Sequence, residues 1–419
     1  MSDKPFRAPP HSSQRRSLLK FGATSTTGML LAGAAAAQGL PGPTPVDTGS
    51  VQDGRVVFPP WRGEADKPDT PPPAPLPPSD RVGFAIVGLG RLSLDELLPA
   101  FAESTQAKPV ALVSGSPEKM ASVARQYGIA PEACYSYEQF DRLRDNPAVQ
   151  AVYIVLPNAM HRSFTERAAA AGKHVLCEKP MATSVADARA MISACARANV
   201  KLMIAYRIQY QPHHLRAREF VANRSFGRLV AFSAGNAQTV HATAAQQWRH
   251  KVALAGGGAL PDIGLYCLNT ARFVSGQEPT EVFARMYSPP GDMRFAEVEE
   301  TIDFMLRFPS GLVAQCMATY GAREDKWQRL QMETATIEMP NAYDYQGQRL
   351  IIGRRRDADK TQDELVLPRK NQFAAEIDHF AGCVRNGTQP RTPGEEGLRD
   401  QVIMDAIYRS ARSGLPVVM

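Results

Sequence analysis

Two patterns of apolar and polar residues divide the chain. From residue 81 to residue 206, short apolar runs without polar alternation are separated by segments of helical periodicity. Such runs are typical of parallel strands that helices cover on both faces. The predicted strands are residues 84–87, 110–113, 151–156, 174–177 and 201–206, and the predicted helices begin near residue 94 and span residues 118–127, 137–144, 163–171 and 185–198. These residues are predicted to form a doubly wound Rossmann domain.

From residue 207 to residue 419, apolar and polar positions alternate over longer stretches. Strands are predicted at residues 229–234, 281–287, 301–308, 312–320 and 329–332. Period-two alternation favours a mostly antiparallel sheet with one open face. Residues 371–413 have the spacing of two amphipathic helices, and it stays open whether these pack back on the first domain. The predicted fold class is α/β followed by α+β, with the Rossmann domain first and an open-sheet domain second.

A glycine pair lies where the first predicted strand meets the first helix. Gly88-Leu89-Gly90 follows the apolar run directly. Gly88 would allow a tight turn, Gly90 would let backbone N–H groups approach a pyrophosphate, and the helix N-terminus would add partial positive charge. Ser93 occupies the third position of this fingerprint, where glycine or alanine is usual. With a strand before it and a helix after it, the turn is interpreted as a dinucleotide-binding loop.

The end of the second strand bears on the choice of nucleotide. An NAD site usually carries Asp or Glu about 20 residues after the glycine turn, where it binds the ribose 2′-hydroxyl. Here the chain continues from Val113 as Ser-Gly-Ser-Pro-Glu-Lys, without an acid at the strand tip. Ser114, Lys119 and Arg91 could converge on a phosphate, which favours NADP. The alternative is that Arg91 and Lys119 are solvated helix charges.

The first 37 residues have the features of an export signal. Arg15-Arg16 precedes a weakly apolar stretch, residues 21–37, that ends in Ala35-Ala36-Ala37. This order predicts a twin-arginine signal peptide, a periplasmic location and the twin-arginine export machinery as a partner. The stretch is shorter than the roughly 20 apolar residues that span a bilayer, so no membrane span is expected. A disordered basic tail would not explain why an arginine pair, an apolar stretch and a run of small residues follow one another in this order.

Residues 38–80 are rich in proline and lack a periodic apolar pattern. Twelve of the 33 prolines lie between residues 39 and 80. The segment is predicted to be extended and to have no core of its own. Two interpretations stay open: a simple tether, or an arm that packs on its own or a neighbouring subunit through Val56, Val57, Phe58 and Trp61.

Composition excludes several classes of protein. The 419 residues are 44% hydrophobic and 21% charged, as in ordinary globular proteins. The net charge is +6, but residues 1–37 hold five basic residues and one acidic residue, so little positive charge remains for the rest. Nucleic-acid binding is therefore not expected. The six cysteines have no short spacing, which predicts buried thiols and neither a disulfide framework nor a metal site.

Two groups of polar residues follow strands of the predicted Rossmann sheet. Pro157-Asn158 with His161 comes after one strand, and Glu178-Lys179-Pro180 after the next. Ligands of such sheets bind at the carboxyl ends of the strands. Lys179 would then lie where a nicotinamide ring is expected, whereas His161 could instead cap the following helix.

Together these motifs resemble the Gfo/Idh/MocA oxidoreductase family, and agreement extends from about residue 82 to the C-terminus. The motifs that carry the resemblance are Gly88-Leu89-Gly90, Pro157-Asn158 with His161, Glu178-Lys179-Pro180, and Gly256-Gly257-Gly258 followed by Asp262 and Gly264. Within the family, the sequence is most similar to the glucose–fructose oxidoreductase group, which shares the export leader and the proline-rich arm. In this family the open sheet face is commonly an oligomer interface, so a homo-oligomer, dimer or tetramer, is expected.

The resemblance implies a catalytic trio of Lys179, Asp262 and Tyr266, the last replacing the histidine of most members. Asp262 and Tyr266 are four residues apart and so share one face of a helix. Free tyrosine has a pKa of about 10, and a nearby ammonium group favours the phenolate. The trio is therefore expected to divide into Tyr266 for proton transfer, Lys179 for electrostatic support and a hydroxyl contact, and Asp262 for orienting a sugar. Without the resemblance, Tyr266 could be a core aromatic residue.

The cofactor site and the sugar site are expected to share several residues. The residues expected at the cofactor are Gly88, Leu89, Gly90, Arg91, Leu92, Ser114, Lys119, Leu156, Pro157, Asn158, His161, Glu178, Lys179, Arg207, Trp248 and Arg249. The residues expected at the sugar are Lys179, Tyr206, Arg249, Asp262 and Tyr266, and Arg207, Tyr210, Trp248 and His161 could supply further donors or a flat face.

The expected function is a sugar:sugar oxidoreductase that never releases its NADP(H). The twin-arginine route is understood to export folded proteins, and the periplasm offers no pool of soluble nicotinamide nucleotides. One aldose would reduce bound NADP+ and leave as its lactone, and a second sugar would reoxidise the cofactor and leave as a polyol. Two alternatives stay open: an exported NAD-dependent glycosidase of the same family, and a non-catalytic sugar-binding protein.

Overall fold

The computed structural model describes residues 50–52, 55–57 and 75–419. The predicted signal peptide and most of the proline-rich arm, Phe58 and Trp61 included, lie outside the described residues. Strands β1 (Ser50–Gln52) and β2 (Arg55–Val57) form a small antiparallel hairpin in which Ser50 faces Val57. In the described part of the chain, no helix combines the length and the apolar character needed to cross a membrane.

Six parallel strands form the first large sheet, in the order β5-β4-β3-β6-β7-β8. They are β3 (Val82–Val87), β4 (Ala107–Val113), β5 (Cys134–Tyr135), β6 (Ala151–Ile154), β7 (His174–Glu178) and β8 (Leu202–Ala205). Helices α1 (Leu98–Glu103), α2 (Pro117–Tyr127), α3 (His161–Ala170) and α4 (Val185–Arg197) connect them. Every residue of β3 and β6 is buried, as expected for strands that are covered on both faces.

The helix predicted at residues 137–144 is a 3₁₀ helix, Phe140–Asp145, which begins three residues later than predicted. Its two fully buried residues, Phe140 and Leu143, are three positions apart. That spacing matches the three residues per turn of a 3₁₀ helix, in which such positions eclipse.

Nine strands form the second sheet, in the order β16-β15-β14-β13-β9-β12-β11-β10-β17. They are β9 (Leu229–Thr239), β10 (Glu281–Tyr287), β11 (Thr301–Arg307), β12 (Val313–Thr319), β13 (Gly321–Met332), β14 (Ala335–Pro340), β15 (Ile351–Arg356), β16 (Asp359–Glu364) and β17 (Val417–Val418). All neighbours are antiparallel except β9 and β12. Helices α5 (Pro212–Ala222), α6 (Val252–Ala255) and α7 (Leu265–Ser275) accompany this sheet, and a π-helical turn, Leu260–Gly264, leads into α7. The predicted fold class is confirmed.

The last two helices connect the sheets. Helix α8 (Gln372–Asn386) packs its buried face on the Rossmann sheet, where the rings of Phe380 and Phe84 lie 6.2 Å apart. Helix α9 (Gly394–Ser413) contacts both α4 and β10. The C-terminal helices therefore do pack back on the first domain, and they hold the carboxyl ends of the Rossmann strands beside the second sheet.

Candidate active site

A cavity of about 1020 Å³ opens at the carboxyl ends of the Rossmann strands, facing α7 and the second sheet. Most of the predicted site residues line it: Gly88, Leu89, Gly90, Arg91, Leu92, Ser114, Lys119, Leu156, Pro157, Asn158, Glu178, Lys179, Arg207, Trp248, Arg249, Asp262 and Tyr266. The cavity thus brings together the glycine turn and the three residues assigned to catalysis.

Three of the predicted residues do not line the cavity. His161 is fully buried, with Nδ1 2.9 Å from the carbonyl oxygen of Pro180 and Nε2 2.9 Å from that of Leu156, and burial lowers its pKa. It joins the loops after β6 and β7. Tyr206 is buried, and burial together with the nearby Asp400 carboxylate raises its pKa. The Tyr210 hydroxyl lies 3.2 Å from Thr392 Oγ1. Each side chain serves packing, so the structure does not place it on the cofactor or the sugar.

The glycine turn has the shape of a nucleotide-binding loop. Gly88 has a φ of +98°, and a Cβ there would lie 2.3 Å from the carbonyl oxygen of Val155, so only glycine fits. A Cβ on Gly90 would meet no protein atom within 4 Å, which leaves open space beside the backbone. Ser93 Oγ donates a 2.6 Å hydrogen bond to the carbonyl oxygen of Gly88. Ser93 therefore secures the turn, which explains a hydroxyl at the third fingerprint position.

The tip of β4 presents a polar, acid-free edge to the cavity. Ser114 is buried there, and its Oγ accepts a 3.2 Å hydrogen bond from Ser116 N–H. Lys119 lies in the first turns of α2 and also lines the cavity. The Arg91 side chain is 93% exposed and lies 4.0 Å from Asp95. Such an exposed pair contributes little stability, so Arg91 remains free to turn towards a ligand.

Lys179 connects the Rossmann sheet to the helix that carries the other two catalytic candidates. It follows β7, and its Nζ donates a 2.7 Å hydrogen bond to the backbone carbonyl of Asp262. The same Nζ lies 3.5 Å from Asp262 Oδ1 and 4.7 Å from the centroid of the Tyr266 ring. One ammonium group thus contacts both partners of the trio.

The Asp262 carboxylate is held by three donors. Tyr320 Oη donates a 2.7 Å hydrogen bond to Oδ2, and Arg249 Nε lies 3.4 Å from both carboxylate oxygens. Burial opposes ionisation, but Arg249, Lys179 and the Tyr320 hydroxyl together lower the pKa of Asp262 to about 2. Asp262 is therefore a carboxylate near neutrality, available to accept a hydrogen bond from a hydroxyl group. Tyr320 was not predicted as a site residue, although it is the last residue of a predicted strand.

Arg207 is inserted between two tyrosine rings. Its Cζ lies 4.7 Å from the centroid of Tyr266 and 4.6 Å from that of Tyr345, and its Nε donates a 3.3 Å hydrogen bond to Tyr266 Oη. Its NH1 and NH2 donate to the Gln372 side chain and to the Tyr343 carbonyl at 2.7 and 2.6 Å. The Arg207 guanidinium is therefore a second cation in contact with Tyr266, and its hydrogen bonds restrict its rotation. Tyr345, which was not predicted as a site residue, also lines the cavity.

Two predicted cofactor residues mainly shape the loops around the cavity. Glu178 is buried, which raises its pKa, and it accepts hydrogen bonds from Tyr153 Oη at 2.8 Å and from Lys179 N–H at 3.2 Å. Asn158 Nδ2 donates a 2.8 Å hydrogen bond to the carbonyl of Ala255. Among the described residues, no group of three or more His, Cys, Asp or Glu is placed to hold a metal ion.

This combination defines a class of protein. A Rossmann sheet with a glycine turn, an open cradle beside Gly90, and a Lys–Asp–Tyr set in the same cavity are the parts of a nicotinamide-dependent oxidoreductase. The family model described as "Oxidoreductase family, NAD-binding Rossmann fold" matches residues 82–206, and the one described as "GFO/IDH/MocA C-terminal domain" matches residues 214–338. The chain belongs to the Gfo/Idh/MocA family and is an NAD(P)-dependent oxidoreductase, as predicted.

Known proteins similar to this chain include sugar oxidoreductases. The structure of aldose-aldose oxidoreductase from Caulobacter crescentus is 43% identical, covers 81% of this chain and 100% of its own, and superimposes with a TM-score of 0.78. D-xylose 1-dehydrogenase [NADP(+)] from Haloarcula marismortui is 30% identical over 79% of this chain and 91% of its own length. Levoglucosan dehydrogenase, at 22% identity and a TM-score of 0.72, covers 81% of this chain and 99% of its own and shares the fold.

Proposed function

We propose that the chain is a sugar:sugar oxidoreductase that keeps NADP(H) bound. It oxidises an aldose such as glucose at C1 to the lactone and reduces a second sugar, fructose or another aldose, to a polyol, in a ping-pong sequence. The observation that carries the proposal is the position of Lys179, Asp262 and Tyr266 in one cavity with the glycine turn. The 43% identity with an aldose–aldose oxidoreductase supports it.

The residues around the glycine turn fit a dinucleotide. The open space beside Gly90 admits a pyrophosphate close to the backbone, where Leu89 and Leu92 also line the cavity. Ser114 and Lys119 at the tip of β4 suit a 2′-phosphate, and no carboxylate there would repel it. When bound, the nicotinamide accepts and returns a hydride.

Tyr266 is the proton carrier of the proposed reaction. During oxidation Tyr266 Oη takes the proton of the C1 hydroxyl, and the two electrons leave C1 with the hydride. During reduction the same hydroxyl returns a proton to the carbonyl oxygen of the second sugar, so each half-reaction balances. Lys179 Nζ and Arg207 Cζ each lie 4.7 Å from the centroid of the Tyr266 ring, and Arg207 Nε also donates a hydrogen bond to Tyr266 Oη, so both cations hold the ring in the cavity.

Asp262 and Arg249 orient the sugar. The Asp262 carboxylate is a hydrogen-bond acceptor in the cavity wall, and Tyr320 and Arg249 fix its orientation. Arg249 also stacks on Trp248, with 4.5 Å between Cζ and the ring centroid, and Trp248 adds an aromatic side chain to the cavity lining. Such a combination of a flat face and fixed polar groups suits a pyranose.

Export explains why the nucleotide would be retained. We propose that residues 1–37 direct the folded protein to the periplasm through the twin-arginine machinery. An enzyme without a nucleotide pool must regenerate its cofactor in place, and a second sugar does this. We also propose that the open face of the second sheet forms a homo-oligomer, dimer or tetramer.

The experiment uses purified protein and no added nucleotide. Incubation with glucose and fructose, or with glucose and a second aldose, should produce gluconolactone and the matching polyol in equal amounts, as measured by chromatography. A requirement for fresh NADP+ would reject the proposal. Release of nitrophenol from nitrophenyl glycosides would instead favour a glycosidase, and sugar binding without any product would favour a sugar-binding protein.

A further inference from the structure

A buried glutamate just before β11 accepts three backbone N–H groups at the start of the catalytic helix. Glu299 is 7% exposed and lies just before β11. Its Oε2 accepts a hydrogen bond from Gly258 N–H at 2.9 Å, its Oε1 from Leu260 N–H at 2.9 Å, and its backbone carbonyl from Ala259 N–H at 3.2 Å. N–H groups at a helix start lack intrahelical partners, and a carboxylate there interacts favourably with the helix dipole. Glu299 therefore caps the turn that leads into α7, from a segment about 40 residues further along the chain.

The close approach of Glu299 accounts for two of the three glycines before this helix. A Cβ on Gly258 would lie 2.1 Å from the backbone carbonyl oxygen of Glu299. A Cβ on Gly257 would lie 1.9 Å from Tyr408 Oη, and that hydroxyl donates a 2.8 Å hydrogen bond to Glu299 Oε1. Both distances are far inside van der Waals contact. The glycines thus make room for the cap, and they lie outside the part of the chain that lines the cavity.

Glu300, the next residue in the chain, supports Tyr320, which contacts the Asp262 carboxylate. The carbonyl oxygen of Glu300 accepts a 3.0 Å hydrogen bond from the backbone N–H of Tyr320, whose hydroxyl binds Asp262. Asp262 itself follows the capped Leu260 by two residues. Glu299 and Glu300 therefore anchor both the backbone that carries Asp262 and the tyrosine that orients its carboxylate.

We infer that Glu299 is a positioning residue for Asp262 and Tyr266, an inference that rests on the proposed function. Glu299 does not line the cavity, and it acts by fixing the helix start. Burial raises the pKa of Glu299, in opposition to the hydrogen bonds that it accepts.

The main test is Glu299→Gln in the full chain. The amide keeps the size of the side chain but has one acceptor oxygen, so it cannot accept from Gly258 and Leu260 together. Hydrogen–deuterium exchange at residues 258–260 should become at least about tenfold faster. The kcat for oxidation of glucose should fall about 10- to 100-fold, as expected when reacting groups move by about 1 Å, with a smaller change in KM and unchanged nucleotide content.

Asp378→Asn is the matched control. Asp378 in α8 accepts from Thr105 N–H and Gln106 N–H at 3.1 and 3.0 Å, so it caps a loop in the same way, away from the cavity. It should lose a similar amount of thermal stability and keep kcat within about twofold of the original protein. Tyr408→Phe removes only the hydroxyl on Glu299, and should accelerate exchange at residues 258–260 by about two- to fivefold. Tyr408→Phe is the variant that tests the cap if Glu299→Gln does not fold.

The outcomes separate the inference from the proposed function. Unchanged exchange at residues 258–260 in both Glu299→Gln and Tyr408→Phe would overturn the cap. An equal fall of kcat in Asp378→Asn, or no change of kcat in Glu299→Gln, would overturn the positioning role. If the original protein converts no sugar pair, the dissociation constant for glucose from calorimetry replaces kcat. It should then weaken at least fivefold in Glu299→Gln alone, and an unchanged constant would overturn the inference.

Discussion

Removal of the Tyr320 hydroxyl should disable Asp262 without changing the nucleotide site. Tyr320 is 2% exposed and donates the shortest hydrogen bond to the Asp262 carboxylate, 2.7 Å. A hydrogen bond to a charged group contributes about 1.5–3 kcal/mol. Because every 1.4 kcal/mol is about tenfold, Tyr320→Phe should lower kcat/KM for the oxidised sugar about 10- to 100-fold. Arg249 and Lys179 still hold Asp262 in the variant, so some activity should remain.

The same substitution should change the acid sensitivity of the protein. The Asp262 pKa of about 2 lies below the ordinary value, so ionised Asp262 stabilises the fold above about pH 4, and this contribution is lost as the pH falls towards 2. Without the Tyr320 hydroxyl the pKa should rise and the contribution shrink. Urea unfolding should therefore show the largest difference between the two proteins near neutrality, narrowing as the pH falls from about 4 towards 2.

Steady-state kinetics with glucose as the varied sugar is the assay, and Tyr210→Phe is its control. Tyr210 is also a buried tyrosine, 4% exposed, but its hydroxyl contacts Thr392 outside the cavity. The control should lose about 1 kcal/mol of stability and keep its kcat/KM. If Tyr320→Phe retained the original kcat/KM, or if both variants lost it equally, the role given to the hydroxyl on Asp262 would be refuted.

Three further substitutions test the other parts of the site. Tyr266→Phe should slow hydride transfer by about 10²- to 10⁴-fold, as is usual for loss of an acid–base group, and should keep the bound nucleotide; rapid reduction by glucose in this variant would exclude Tyr266 as proton carrier. Arg207→Lys keeps the charge but loses the paired hydrogen bonds to Tyr343 and Gln372, so kcat should fall about tenfold and the melting temperature should drop. Unchanged kinetics would show that the charge alone suffices. Ser114→Asp should replace NADP by NAD in the purified protein by mass spectrometry, and retention of NADP would contradict the assignment of the β4 tip.

The Rossmann domain was predictable because strands that are buried on both faces consist of continuous apolar runs. The second sheet was predicted less completely. Strand β13 begins at Gly321 with exposed polar residues, and β16 is exposed over most of its length. Their strand form depends on pairing with distant partners, such as Asp325 with Ala237 and Ile352 with Asp363. Such pairing is a property of the folded sheet, and local apolar alternation does not report it.

The site was predictable where its residues lie in continuous motifs. Lys179, Asp262 and Tyr266 lie in or next to short motifs beside a strand end or a helix start, and those motifs carried the resemblance to the family. The contacts of Tyr320 with Asp262 and of Arg207 with Tyr266 join residues that are 58 and 59 positions apart in the sequence. Local sequence patterns do not report such contacts. The sequence alone did not show that His161 lies away from the cavity, because a histidine near a strand end suits either a ligand or, as here, a fully buried contact to two carbonyl groups.

The most direct test of a retained, sugar-recharged cofactor is the mass and absorbance spectrum of the nucleotide that copurifies with the protein. We expect NADP(H) in an amount close to that of the chain, reduced nicotinamide absorbance after addition of glucose, and loss of that absorbance after addition of a second sugar. Protein that is isolated without NADP(H), or that exchanges it freely with nucleotide in solution, would contradict the proposed function.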